Sequence, residues 1–131
     1  MSSFLAKLEM EGDTYNVLQC KYDFYQNIDN AGKPQGSCKG GKILLTIESS
    51  GKPTFIEWML SSEKTKDAVI VFYRRDAMSK LQEVKFEKGY CIEFSEEFDA
   101  INDQPMKIKL LISAKKLSIC TVGFENSWKI S

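Results

Sequence analysis

Apolar residues recur at every second position over most of the chain. "SFLAKLEM" sets Phe4, Ala6, Leu8 and Met10 on one face and Leu5, Lys7 and Glu9 on the other. Such alternation marks a strand with one buried face. "EGDT" then interrupts it, and Gly12 with Asp13 suits a hairpin turn. In "YNVLQCKYDFYQ", Leu18, Cys20, Tyr22 and Phe24 alternate with Gln19, Lys21 and Asp23, which predicts a long half-buried strand. "KILLTIES", "AVIVFYR", "KLQEVKFE", "GYCIEFSEEF", "MKIKLLISAKKLSIC" and "VGFENSWKI" read the same way. Turn chemistry separates them, as at Lys88 with Gly89 and at Asn102, Asp103, Gln104 and Pro105.

One segment breaks the period of two. In "PTFIEWMLSS", Phe55, Trp58 and Met59 fall at helical spacing, Ile56 and Leu60 widen the apolar side, and Pro53 suits the first turn. Seven or eight strands with one short helix predict an all-β sandwich or barrel.

Residues 27–42, "NIDNAGKPQGSCKGGK", fit no regular element. A connection this long inside a small domain is usually functional or disordered. It contains a near match to a phosphate-binding loop. "GSCKGGKI" has Gly36, four residues, Gly41 and Lys42, but Ile43 stands where a Ser or Thr would bind magnesium. Such a loop also needs a helix N-terminus after it, and "ILLTIES" is a strand. A flexible or interface loop is the expected reading.

Composition narrows the function. The 131 residues, 43% hydrophobic and 27% charged, fit one domain over 1–131. Eighteen basic residues balance eighteen acidic ones, so no global field draws nucleic acid or an anionic membrane. Zero net charge also removes one barrier to self-association. Lys7 and Glu9 interrupt the N-terminal apolar run, so no signal peptide is expected, and no window reaches membrane-span length. Cytoplasmic synthesis and folding follow. Cys20, Cys38, Cys91 and Cys120 show no zinc spacing and read as free thiols, with Cys20 on the face of Leu18 and Tyr22. The chain has no histidine, which removes the commonest general base and every Ser–His or Cys–His pair.

Three charged clusters remain. Arg74, Arg75 and Asp76 in "YRRDAMSKL" could clamp an anion, cap a local turn or form salt bridges between subunits. Glu93, Glu96 and Glu97 in "CIEFSEEFDA" read as a solvated strand side rather than a hydrolase pair. Lys107, Lys109, Lys115 and Lys116 read as an ordinary polar face, with Met106, Ile108, Leu110 and Ile112 between them.

"FLAKLEM", "YNVLQCKYDFYQ", "FIEWML", "FYRRDAMSKL", "YCIEFSEEFDA", "QPMKIKLLISAKKL" and "FENSWK" are collinear and cover nearly the whole chain. In them the sequence resembles the haemolysin-coregulated protein family (TssD), the inner-tube proteins of type VI secretion, and above all its Bacteroidetes branch. The resemblance implies a mainly β fold, two antiparallel sheets forming a compact barrel with one short flanking helix and a long extended loop. It implies hexameric rings that stack into a tube, which sheath contraction expels and which can carry effectors. Sheath, tip and baseplate proteins are the implied partners, with no catalytic residue and no cofactor. It also implies secretion by the machine itself, without a signal peptide, and no effector domain is expected on a chain running to Ser131. By position, Lys33, Pro34, Gln35, Gly36 and Ser37 belong to the loop that reaches the next ring. Arg74, Arg75 and Asp76 become candidates for the subunit interface. Two other readings are a monomeric small-ligand-binding barrel and a carboxylate-dependent hydrolase.

Overall fold

The computed structural model describes residues 4–77, 79–102 and 104–128. Strands β1 (Phe4–Met10), β2 (Asp13–Tyr22), β5 (Lys42–Glu48), β6 (Lys66–Arg74), β7 (Lys80–Glu97) and β8 (Lys107–Ile119) carry the alternating pattern. They pair in the order β5-β2-β1-β6-β7-β8, all antiparallel. β8 then returns to β5, from Lys42↔Ser113 to Glu48↔Lys107, so the sheet closes into a barrel. Closure removes most of the unpaired strand edge that an open sheet leaves exposed. A short β9 (Val122–Glu125) extends β8 beyond the end of β5. A separate ribbon pairs β3 (Tyr25–Ile28) with β4 (Pro34–Lys39).

The barrel interior is packed with side chains. Leu8, Ile43, Leu45, Ile47, Ile70, Val84, Phe86, Leu110, Ile112 and Leu117 are all essentially out of water. Each such side chain stabilises the fold by roughly 1.5–3 kcal/mol. The helix α1 (Thr54–Met59) adds Phe55 and Trp58 to the same core. The Phe55 ring meets Tyr15 edge-on at 4.9 Å, and Trp58 stacks on Phe86 at 6.3 Å. The Trp58 indole N–H donates to the carbonyls of Lys64 and Gly89, both at 3.1 Å, so its polar tip is satisfied inside. The helix apolar face is narrower than its spacing predicts: Ile56 and Leu60 point to solvent. Pro53 sits at the N-cap, one position before the first turn.

Four other expectations are corrected. The two-residue loop between β1 and β2 is Glu11–Gly12, both at positive φ, while Asp13 already pairs with Met10. Leu18 is exposed, because the β2–β5 register slips between Val17 and Gln19. One extra residue reverses the alternation. Tyr15 and Val17 face the core before the bulge, and Cys20 and Tyr22 face it after. Lys88 and Gly89 form no turn. β7 runs through them as one strand, with a bulge at Lys88 (φ 53) whose N–H donates to Asp67 Oδ1 at 2.8 Å. Met106 lies outside β8 and half in water, although Ile108, Leu110 and Ile112 are buried. Asp103, in the expected 102–105 turn, and the side chain of Phe4 lie outside the described residues.

Candidate functional site

Residues 27–42, expected to be irregular, form most of an arm. Among the described residues, β3 and β4 pair with each other, and their backbone lies beside no other strand or helix. Every residue of the ribbon except Cys38 is exposed, including Tyr25 at 58% and Ile28 at 64%. Turn chemistry shapes its tip. Asp29 Oδ1 accepts from the backbone N–H groups of Ala31 at 2.9 Å and Lys33 at 3.0 Å, and Gly32 takes φ +85. Asp is favoured in such turns because its side chain stands in for a backbone acceptor. Pro34 begins β4 on an open edge, where no ladder donor is lost. Gly36 (φ 85) lies where the ribbon register shifts. Of the residues read as the reaching loop, Lys33 is in the tip and Pro34, Gln35, Gly36 and Ser37 line β4.

The arm's root is tied down firmly. Gly40 lies under the Phe24 ring, where a Cβ would stand 2.3 Å from Cδ1. Phe24 meets Phe124 of β9 edge-on at 5.2 Å. Gly41 is buried at φ +94, and its carbonyl accepts from the Ala114 N–H at 2.8 Å. Asn126 Nδ2 donates to the carbonyls of Ala114 (3.0 Å) and Gly40 (3.3 Å). The glycines of the near phosphate loop thus serve a close backbone approach. Lys42 and Ile43 enter β5 where that motif needs a helix.

Direction follows from pairing. β2 and β6 both run antiparallel to β1, so the arm and the turn after Arg74 leave the barrel at one end. At that end a hydrogen bond from Gln82 Nε2 of β7 to the Tyr22 hydroxyl, at 2.8 Å, ties the last residue of β2 to the barrel wall. β5 runs opposite to β2, so α1, which follows it, caps the other end. Arg74 closes β6, and Arg75 and Asp76 lie in the turn, all exposed. Among the described residues neither guanidinium is ion-paired, and no hydrogen bond caps the turn through Asp76. The cluster is open to an external partner.

The carboxylates do not converge on a pocket. Glu96 accepts from Ser49 Oγ at 2.7 Å, Glu97 lies 3.9 Å from Lys109 Nζ, and Glu93 is exposed. All four cysteines are free. Burial pushes the thiols of Cys20 and Cys91 up to about 11. Cys38 lies on the arm and Cys120 in the β8–β9 turn at φ 57. No group of three or more acidic, cysteine or histidine side chains among the described residues could hold a metal. A feature that sequence reasoning missed is an open apolar groove of about 510 Å³ between the end of α1 and β7, lined by Met59, Leu60, Ile92 and Trp128. Its residue Leu60 was read as part of the helix's apolar side, and nothing in the alternating pattern singled out Ile92 or Trp128 as its neighbours.

A family model for the hemolysin coregulated protein Hcp (TssD) matches residues 2–129. Hcp1 from Flavobacterium johnsoniae is similar to this chain with a TM-score of 0.87 and 34% identity, over 93% of this chain and 99% of that one. Hcp1 from Salmonella typhimurium reaches a TM-score of 0.76 at 12% identity, covering 95% of each chain, which shows a shared fold. So does a chain from the sheath–tube complex of the extracellular contractile injection system PVC, with a TM-score of 0.56 and 16% identity over 87% of this chain and 86% of that one. No curated protein sequence matches. The family match and the likeness to the Flavobacterium protein place this closed barrel, with a helix at one end and an arm at the other, in the class of secretion tube proteins. Within that class, the chain belongs to the haemolysin-coregulated protein family, TssD, the tube proteins of type VI secretion.

Proposed function

We propose that this tube subunit assembles as hexameric rings that stack head to tail, with the arm as the stacking element. The observation that carries the reading is the ribbon, paired only with itself and exposed on both faces. A lone two-stranded hairpin is marginal in water. Its apolar Tyr25 and Ile28 gain cover when a second copy packs on them. Arm and helix lie at opposite ends of the barrel, so head-to-tail stacking sets each arm against the helix-bearing end of the next ring. Lys33, Pro34, Gln35, Gly36 and Ser37 then meet the next ring, and the side chains of Arg74, Arg75 and Asp76, without partners among the described residues, serve contacts between subunits.

In this reading the protein works without catalysis or a cofactor. It is expelled with the tube, carries effectors, and meets sheath, tip and baseplate proteins during assembly. A monomeric ligand-binding barrel lacks support, because side chains fill the interior. Native mass spectrometry and negative-stain electron microscopy test the proposal. Hexameric rings and short tubes are the expected result; a strictly monomeric species at high concentration overturns it.

A further inference from the structure

Residues 126–128, just after β9, lie at the arm's root and are bonded to the barrel. Lys115 Nζ, from β8, donates to the carbonyls of Asn126 at 3.0 Å and Trp128 at 2.9 Å, and lies 5.9 Å from the Trp128 ring centroid. Glu125 holds the same ammonium at 3.4 Å. The Asn126 N–H closes back on the Lys115 carbonyl at 2.7 Å. The Asn126 amide then reaches both the arm (Gly40) and the barrel (Ala114). This is the one polar side chain among the described residues that bridges the two. An amide with both N–H donors committed is directional, and a charged donor to two carbonyls fixes the segment behind it.

We propose that Asn126, held in place by Lys115, is the positioning residue that sets the direction in which the arm leaves the barrel. The arm cannot set its own direction, because among the described residues the backbone of its strands lies beside no other strand or helix. Phe24 against Gly40 and Phe124 supplies contact, but an edge-on ring pair tolerates tilt, whereas the Asn126 bridge and the Ala114–Gly41 bond fix an angle. This rests on the proposal that the arm docks on the next ring. A ring of arms must meet its neighbour simultaneously, so a small spread of directions weakens every contact together.

The test uses Asn126→Ala and Lys115→Met, with Lys115→Arg as a conservative rescue. Spin labels on exposed Cys120 and on Cys38 report arm direction by pulsed electron paramagnetic resonance; attachment at neutral pH disfavours Cys20 and Cys91, whose thiols stay protonated. Native mass spectrometry reads rings and electron microscopy reads tubes. The expected result is rings retained, tubes lost, a broadened Cys38–Cys120 distance distribution, and an Ala114 N–H exchanging about tenfold faster, because its bond to the Gly41 carbonyl opens more often once the arm's root loosens. Lys115→Arg restores the narrow distribution and the tubes. A narrow distribution like that of the unaltered protein in both Asn126→Ala and Lys115→Met overturns the inference. Tyr25→Ser with Ile28→Ser serves as the separate control on docking. Tubes that survive that pair overturn the docking role, while the distance measurement still decides the positioning role.

Discussion

The barrel and the arm are both antiparallel β structure, yet only one has an inside. In the barrel, alternate side chains such as Leu8, Ile70 and Ile112 leave water, and the sheet closes on them. In the arm, both faces of Tyr25–Ile28 and nearly all of Pro34–Lys39 stay in water. Its shape comes from the Asp29 turn, Gly32 and Gly36, and its orientation from Gly40, Gly41 and Asn126. Hydrophobic burial stabilises the first; backbone chemistry specifies the second and leaves it short of a partner. A substitution therefore has a large effect on stability or a large effect on assembly according to which region it enters.

The largest loss of stability is expected at Trp58. It is fully buried, stacked on Phe86, and donates to two carbonyls. Trp58→Ala leaves a cavity and orphans those carbonyls, a cost of about 3–5 kcal/mol. Urea unfolding of the soluble subunit measures it. A loss under about 1 kcal/mol would mean that the helix is not part of the core.

Gly41→Ala comes next, because it strikes the joint between the two regions. The new Cβ would stand 2.5 Å from Asn126 Nδ2 and 2.8 Å from the Ala114 carbonyl oxygen. The positive φ adds its own penalty, for a total of about 2 kcal/mol or more. The same change at Gly32, where no atom lies within 4 Å of the added Cβ, carries only the backbone penalty. Equal melting temperatures for the two variants would remove the joint from the account.

The same contrast decides how much was legible in the sequence. Hydrophobic period reports a strand only where one face is buried, so the barrel strands and the helix stood out. The ribbon has no buried face. Its Gly, Pro and polar residues read as irregular although they pair from Ile28↔Pro34 to Tyr25↔Lys39. The bulges failed for a second reason. Nothing about Leu18 marks it as the extra residue; the register of β5 against β2 does that. Lys88 is not a residue type that favours φ 53, and the Asp67 side chain that receives its N–H is distant in sequence. The Gly40–Gly41 root was visible as composition, but its partner Asn126 became legible only once β8 and β9 had brought it there.

A smaller effect separates the thiols by region. Cys20 and Cys91 titrate near 11 in the folded barrel, against 9.0 for an ordinary thiol, because burial disfavours the thiolate. The unfolded chain therefore loses these protons first as pH rises. Their contribution to stability is complete below pH 9 and is lost as pH climbs from 9 towards 11. Urea midpoints should fall over that window, and less steeply in a Cys20→Ala, Cys91→Ala double variant. An identical slope in the double variant would place the effect on other groups.

The smallest effect on folding is expected where the effect on assembly is greatest. Tyr25 and Ile28 are more than half exposed on the arm, so Tyr25→Ser and Ile28→Ser should change subunit stability by no more than about 0.5 kcal/mol. In the barrel, a comparable truncation of Ile70 or Ile112 would cost several times as much, about 2–5 kcal/mol. Under the proposed stacking, every subunit repeats the arm contact around the ring, so a modest loss per arm multiplies across the interface and the equilibrium shifts from tubes to single rings. Sedimentation of assembled protein against an unchanged urea midpoint checks both halves. If the two substitutions lower the midpoint as far as a core truncation does, the arm is folded onto its own subunit and the contrast between the regions fails.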